Sequence, residues 1–252
     1  MPFPFYVDPI PALTTAQMIE VDRAMIEEYH IDLIQMMENA GRNLAHLARE
    51  RFLAGDPRGR NVVVLAGTGG NGGGALVCAR RLHNYGAAVQ VVITRPDADF
   101  TAVPGHQLAI VRKIGLPVTL AEDFSPEGET ADLIIDGLIG YSLQGSPRGT
   151  AADLIRWANQ HAAPVLALDA PSGLDAATGT VYDPAIRAAA TMTLALPKVG
   201  LLGETAERSG AITHVGELYL ADISVPPELY ASPALQLAVG PLFAHSDIVR
   251  LS

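Results

Sequence analysis

From Asn61 onward, short apolar segments alternate with segments of helical pattern, and this alternation restricts the fold more than any other feature. Helices are predicted at about residues 74–85, 102–114 and 149–161. Strands are predicted in seven segments, which read NVVVLA, AVQVVIT, LPVTL, DLIIDGLIG, PVLALD, ATMTLAL and GELYLADI. Nearly continuous apolar strands separated by helices are typical of a mostly parallel sheet covered on both faces. Right-handed crossovers then give a Rossmann-like, three-layer α/β sandwich, and 252 residues suit a single domain.

Two more helices are predicted before the first of these strands. In the first, Met18, Val21 and Met25 recur at the spacing of one helix face, and Thr14 with Gln17 reads as a capping box. The second covers DLIQMMENAGRNLAHLARERF, where an internal glycine predicts close packing against another helix. The domain is expected to span residues 1–252, with residues 1–13 as an N-terminal extension. Residues from about 226 to 252 form a proline-containing tail that is expected to wrap over the domain or pack on a partner subunit.

Charge and cysteine content exclude several classes of protein. The net charge is −10, which argues against binding nucleic acid, because that binding requires clustered Lys and Arg. Cys78 is the only cysteine, so no disulfide can form within the chain, and a structural zinc site is disfavoured. No window of about 18 uninterrupted apolar residues is present, so no membrane span is predicted. The N-terminus lacks a signal-peptide pattern, and the expected location is the cytoplasm.

Residues 67–75 read GTGGNGGGA and connect the first predicted core strand to a helix. In a parallel α/β sheet, ligands bind beyond the carboxyl ends of the strands, and a helix N-terminus can bind phosphate through backbone N–H groups. Three glycines of the loop match the dinucleotide fingerprint, but the next strand ends at Arg95 without the expected ribose-binding carboxylate. A P-loop is excluded, because Gly73 and Gly74 stand where Lys and Ser or Thr are required. A purely structural turn is disfavoured by the entropy cost of six glycines in nine residues.

Five segments in a fixed order give a more specific interpretation. They are MENAG at 37–41, GTGGNGGGA at 67–75, DGLIGYSL at 136–143, DAPSGLD at 169–175 and KVGL at 198–201. The order of these segments and their residues resemble those of the YjeF N-terminal domain family, the NAD(P)H-hydrate epimerases, across roughly residues 14–225. That family typically has GPGNNGGDG, DALFGTGL, DIPSGLD and KpGL at the last four places.

The resemblance implies an enzyme of cofactor repair. NADH or NADPH that has taken up water across the nicotinamide ring exists as R and S hydrates at C6, and the epimerase interconverts them. A separate, stereospecific dehydratase then restores the cofactor. The resemblance also implies a potassium ion near the phosphates and a homodimer.

Residue by residue, the resemblance implies three sets of site residues. Asn71, Asp136 and Ser172 match the potassium ligands, and oxygen ligands of this kind suit a hard cation. Asp169 and Lys198 match the catalytic positions, where Asp169 would move a proton or hydrogen-bond the hydrated ring. The ligand-contacting positions match Gly70, Asn71, Gly72, Gly73, Gly74, Gly140, Tyr141, Ser142, Leu143, Gln144, Gly145, Ser146 and Asp169.

Two positions depart from the family pattern. Gly74 stands where the family has an Asp in the glycine loop, and Tyr141 stands where it has a Thr. Both changes reshape the ligand pocket, and the first removes a carboxylate. Two alternatives to the epimerase therefore remain open. One is a protein of the same fold that binds a nucleotide or another phosphate ligand without turnover, and the other is an enzyme for a different small molecule.

Overall fold

In the computed structural model, which describes residues 3–251 apart from the side chain of Glu204, nine strands form one sheet. The strands are β1 (Phe5–Tyr6), β2 (Asn61–Ala66), β3 (Ala88–Ile93), β4 (Val118–Leu120), β5 (Leu133–Gly137), β6 (Val165–Leu168), β7 (Ala190–Leu194), β8 (Glu217–Ala221) and β9 (Ile248–Leu251). Their order is β1-β9-β8-β7-β6-β5-β2-β3-β4. Every neighbouring pair is parallel except β8 with β9, so the predicted mostly parallel sheet is confirmed.

The five predicted helices are present, with one shifted boundary, and three short helices were not predicted. The helices are α1 (Thr15–Glu27), α2 (Leu33–Leu47), α3 (Gly70–Asn84), α4 (Ala102–Lys113), α5 (Gly149–Gln160) and the short α6 (Gly203–Ser209), α7 (Ile212–Val215) and α8 (Pro227–Tyr230). The predicted capping box is present, since the Thr14 hydroxyl accepts a hydrogen bond from the Gln17 N–H at 3.2 Å. Helix α3 begins at Gly70 rather than near residue 74. The sequence pattern did not predict its first turn, because that turn consists largely of glycines, which have low helix propensity. Within residues 3–251, no helix is long and apolar enough to cross a membrane.

Alternate residues of β2 pack against two different helix layers. Val62 and Val64 join a cluster with residues of α3, while Val63 and Leu65 join one with residues of α5. Successive side chains of a strand point to opposite faces, so a strand that is apolar throughout is buried on both sides. This confirms the three-layer sandwich. The predicted close helix packing is also confirmed, since a side chain at Gly41 of α2 would lie 2.4 Å from Cβ of Val77 on α3.

The chain changes direction across the sheet between β2 and β5. From β2 it proceeds outward through β3 to β4, and from β5 it proceeds the other way through β6 and β7 to β8. In such a sheet a crevice opens at the carboxyl ends of the two central strands, and ligands bind there. The glycine loop follows β2, and Asp136 is the last residue but one of β5. Asp169 follows β6 directly.

Both ends of the described chain lie at one edge of the sheet. Strand β9 pairs antiparallel with β8, and β1 pairs parallel with β9 through Phe5 opposite Arg250. The sequence predicted an N-terminal extension and a C-terminal tail here, without a strand in either. Strand β1 has two residues and β9 has four, which is too short for an alternating pattern to be distinguished from a loop.

Candidate active site

The glycine loop has two kinds of glycine. A side chain at Gly67 would lie 2.0 Å from the Leu138 carbonyl oxygen, and one at Gly72 would lie 1.7 Å from the Gly67 carbonyl oxygen. These positions are glycine because the protein's own backbone lies against them. At Gly69 and Gly70, in contrast, an added Cβ meets nothing within 4 Å. These two residues face open space at the start of α3, where the first backbone N–H groups of the helix have no intrahelical partners and the helix dipole favours an anion.

A small cavity lies beside this helix start. Its volume is about 110 Å³, well below the roughly 300–1,000 Å³ of pockets that enclose a whole drug-sized ligand. The cavity therefore suits one ring of a ligand rather than a complete dinucleotide. Helices α1 and α2 contribute apolar side chains, including Met18, Leu33, Met36 and Met37. Of the sequence-predicted residues, the structure brings together here Gly70, Asn71, Gly74, Tyr141 and Asp169.

Asp169, which lines the cavity, forms a buried ion pair with Lys198, which does not. Asp169 adopts a left-handed conformation with φ +66°, which Asp tolerates better than most residues, and Lys198 is 1% exposed. The Lys198 Nζ donates to Oδ1 of Asp169, to the Leu194 carbonyl oxygen at 2.9 Å and to the Thr193 hydroxyl at 3.3 Å. A backbone bridge to Leu13 holds the segment that carries Lys198. The family resemblance had implied catalytic positions for both charged residues, and the structure brings them into direct contact.

Tyr141 connects this ion pair to α1. Its backbone N–H donates to Oδ2 of Asp169 at 3.2 Å, and its hydroxyl donates to Oδ2 of Asp22 at 2.6 Å. Burial raises the pKa of the Tyr141 phenol above its usual range. Sequence reasoning missed Asp22. The helical spacing could have indicated it, because Asp22 lies four residues after Met18 and three before Met25. This spacing places a carboxylate next to the apolar face of the helix.

A second carboxylate lies deeper, at the end of β5. Asp136 is 0% exposed and accepts hydrogen bonds from the Ser172 hydroxyl at 2.6 Å, the Ser172 N–H at 2.8 Å and the Leu138 N–H at 3.2 Å. Burial raises the pKa of Asp136 to about 6. Asn71 adjoins the loop that follows β5, where a Cβ at Gly140 would come within 2.8 Å of its Oδ1. Its Nδ2 donates to the Leu168 carbonyl oxygen at 2.7 Å.

The oxygen atoms of these residues suit a hard cation. The three groups that donate to Asp136 are neutral, and no Lys, Arg or His of residues 3–251 forms an ion pair with it. A buried carboxylate without a cation is unfavourable, and a bound cation would compensate its charge. The available ligand atoms of Asn71, Asp136 and Ser172 are all oxygens, which suit a hard cation. The same described part of the chain holds no cluster of three His, Cys, Asp or Glu residues that could bind a metal.

The other sequence-predicted contact residues lie outside the cavity. Gly72 and Gly73 face the protein interior, and a side chain at Gly73 would meet Sδ of Met37 at 2.5 Å. The loop after β5 continues away from the cavity, with Ser142, Gln144 and Ser146 exposed and Leu143 and Gly145 half-buried.

At Gly74 an added Cβ would lie 2.8 Å from Cδ2 of Leu168, a residue that also lines the cavity. The Asp that the family pattern has at this position can be accommodated only if Leu168 moves.

Comparisons with known proteins identify the family. A family model described as YjeF-related protein N-terminus matches residues 33–200. The chain is 42% identical to an NAD(P)H-hydrate epimerase of Dehalogenimonas lykanthroporepellens, over 96% of this chain and 94% of the relative. It is 36% identical to a bifunctional NAD(P)H-hydrate repair enzyme, Nnr, of Moorella thermoacetica, over 87% of this chain but only 42% of that relative.

The fold is also that of a solved structure. The crystal structure of the yeast protein ynu0 (YNL200c) superimposes with a TM-score of 0.76 at 23% identity, covering 96% of this chain and all of that one. At this identity the likeness concerns the fold alone. Together with the family model, which matches more than half of the residues, the sequence matches lead to one conclusion: the chain belongs to the YjeF N-terminal domain family.

Proposed function

We propose that this protein is an NAD(P)H-hydrate epimerase that interconverts the R and S hydrates of NADH and NADPH. The observation that supports this most directly is the position of the cavity, which places two carboxylates beside an open helix N-terminus at the switch point of the sheet. Relatives that share 42% and 33% of their residues with this chain are named NAD(P)H-hydrate epimerase.

The proposed binding mode follows from size and charge. The pyrophosphate lies against the N–H groups at Gly69 and Gly70, where nothing of the protein occupies the space. The hydrated nicotinamide ring enters the apolar cavity, because its volume suits a single ring. Asp169 and Lys198 form the catalytic pair, in which Asp169 hydrogen-bonds the ring and Lys198 holds the carboxylate in place.

Potassium is the proposed resident ion, with Asn71, Asp136 and Ser172 among its ligands. When bound, it supplies a positive charge close to the carboxyl ends of the central strands, which favours the pyrophosphate. The protein's own contribution is to orient these oxygens, since the Ser172 hydroxyl also accepts a hydrogen bond from the Ile139 N–H at 2.9 Å.

A coupled assay tests the epimerase function. The purified protein is added to a mixture of R and S hydrates of NADPH together with an S-specific dehydratase, and the return of NADPH absorbance is followed. The dehydratase alone should convert the S hydrate and then slow to the rate of spontaneous epimerisation. With the protein present, the whole mixture should be converted in one fast phase. A second phase no faster than that of the dehydratase alone would overturn the proposal.

A second candidate function is dinucleotide binding without turnover. The observation that favours it is Gly74, where the family carboxylate is absent and Leu168 occupies the adjoining space. If the protein protects or binds NADPH but leaves the hydrates unchanged in the coupled assay, this second function replaces the first.

The remaining proposals concern partners and location. We expect a separate dehydratase to consume the product, in agreement with the bifunctional names of several relatives. A homodimer is supported by apolar side chains exposed on α1, where Ile19 is 57% and Ile26 40% exposed, and light scattering would measure it. The cytoplasm stays the expected location, since the single cysteine is buried and no disulfide is possible within the chain.

A further inference from the structure

Helix α1 places a second carboxylate beside Asp169 in the lining of the cavity. This residue, Asp22, has no role in the binding mode proposed so far. Its Oδ2 accepts the hydrogen bond from the Tyr141 hydroxyl at 2.6 Å. No described residue of the chain donates to its Oδ1. Because Asp22 lines the cavity together with Met18 and Met36, this second oxygen is available to a bound ring in a largely apolar environment.

Asp22 and Asp169 differ in how many of their carboxylate oxygens accept hydrogen bonds from the protein, and this difference indicates different roles. Both oxygens of Asp169 already accept hydrogen bonds, one from the Lys198 ammonium and one from the Tyr141 N–H. The protein's own donors therefore already occupy both oxygens of Asp169, whereas one oxygen of Asp22 accepts no hydrogen bond from the described residues. Asp22 is half-buried and has no ion pair among the described residues, so it can take up and release a proton more readily.

The surroundings of Asp22 favour such exchange. Burial raises the pKa of its carboxyl group above the usual value, and the negative charge of Asp169 acts in the same direction. The hydrogen bond from Tyr141 and the charge of Lys198 oppose this increase and are outweighed. Helix α2 presents apolar side chains to the cavity, among them Leu33. An acid whose pKa is raised toward neutrality is better matched to proton transfer at physiological pH.

We propose that Asp22 is the catalytic residue that transfers the proton during epimerisation, with Tyr141 as its positioning residue. This inference rests on the proposed epimerase function. In the step, Asp22 accepts the proton of the C6 hydroxyl while the C6–N1 bond breaks. The bonding electron pair passes to N1, which receives that proton from Asp22, and the ring opens to an aldehyde. Rotation about the C5–C6 bond and the reverse steps close the ring on its other face, so no atom is gained or lost.

The test compares Asp22→Asn with a matched control on the same helix, Glu27→Gln. Both changes replace a carboxylate by its amide, but the Glu27 side chain is 63% exposed and pairs with Arg23 among the described residues. We expect Asp22→Asn to lower kcat about 100-fold or more, with KM changed only a few-fold, and Glu27→Gln to leave both unchanged. Wild-type kcat/KM should fall at acid pH as Asp22 becomes protonated, and this acid limb should be absent from Asp22→Asn.

Two further variants separate catalysis from folding. Tyr141→Phe removes the hydrogen bond that lowers the pKa of Asp22, so the acid limb should move to higher pH. Asp22→Ala should regain part of its activity in formate, which can supply the missing carboxylate. An Asp22→Asn variant with wild-type kcat and an unchanged acid limb would overturn the role of Asp22 while leaving the epimerase function standing. A wild type without epimerase activity would instead overturn the proposed function.

Discussion

Strands β5 and β6 are neighbours, and each brings an aspartate to the same edge of the sheet, but the two carboxylates are neutralised differently. Asp169, after β6, pairs with a lysine from the chain itself. Asp136, in β5, has three neutral donors and a pKa raised to about 6 by burial. Two aspartates at equivalent places in the sequence pattern, each at the end of an apolar strand, therefore differ in how their negative charge is compensated. Asp169 is neutralised within the fold, whereas Asp136 has no cationic partner among the described residues, which supports the proposed cation site.

The largest expected change in stability comes from breaking the buried ion pair between Asp169 and Lys198. Asp169→Asn keeps the shape of the side chain and tolerates φ +66°, but it leaves Lys198 buried among neutral oxygens. We expect the free energy of unfolding to fall by about 3–5 kcal/mol, the usual cost of an orphaned buried charge. Turnover should fall about 100-fold or more, since a group that contacts the reacting ring is changed.

The double variant Asp169→Asn/Lys198→Met distinguishes stability from activity. It removes both charges, so urea unfolding should recover most of the stability lost in the single variant, while turnover stays low. If Asp169→Asn unfolds at the same urea concentration as the wild type, Asp169 and Lys198 do not form a stabilising buried ion pair.

If Asp136 binds a cation, the melting temperature should depend on which salt is present. We expect potassium to raise the melting temperature relative to choline at equal ionic strength, and sodium to have a smaller effect. A cation at about 100 times its dissociation constant adds roughly 2.7 kcal/mol when only the native state binds it. Asp136→Asn is the control, because it removes the charge and should abolish the difference. Equal melting temperatures of the wild type in all three salts would refute the cation site.

The smallest expected change in stability comes from adding the carboxylate that the family pattern has at position 74. Gly74→Asp brings a side chain within 2.8 Å of Cδ2 of Leu168, and overpacking of this kind costs about 1–3 kcal/mol. Leu168→Val shortens the residue that obstructs it, so the double variant should be less destabilised than Gly74→Asp. If the family carboxylate limits turnover, the double variant should also be the faster enzyme in the coupled assay. Equal unfolding free energies for the two variants would show that Leu168 is not the obstacle.

The sequence predicted the sheet and the residues at its edge because both depend on local patterns. Continuous apolar runs mark buried parallel strands, and an aspartate directly after such a run lies at the ligand-binding edge. The contact between Asp22 and Tyr141 was not predictable in this way, since 119 positions separate the two residues. The burial of Lys198 is also nonlocal, because it depends on Leu13, Thr193 and Asp169 meeting in space.

The pairing of β1 with β9 has a consequence for the order of folding. Phe5 and Tyr6 pair with Arg250 and Leu251, so this edge of the sheet cannot close before Leu251 has left the ribosome. Leu13 likewise waits for its bridge partner Lys198. Contacts of such large sequence separation form slowly, because the long loop between them must be closed first. Phe5, Tyr6 and Leu13 are therefore synthesised long before their native neighbours, and the segment that carries Lys198 gains its bridge to Leu13 only after a long loop has closed.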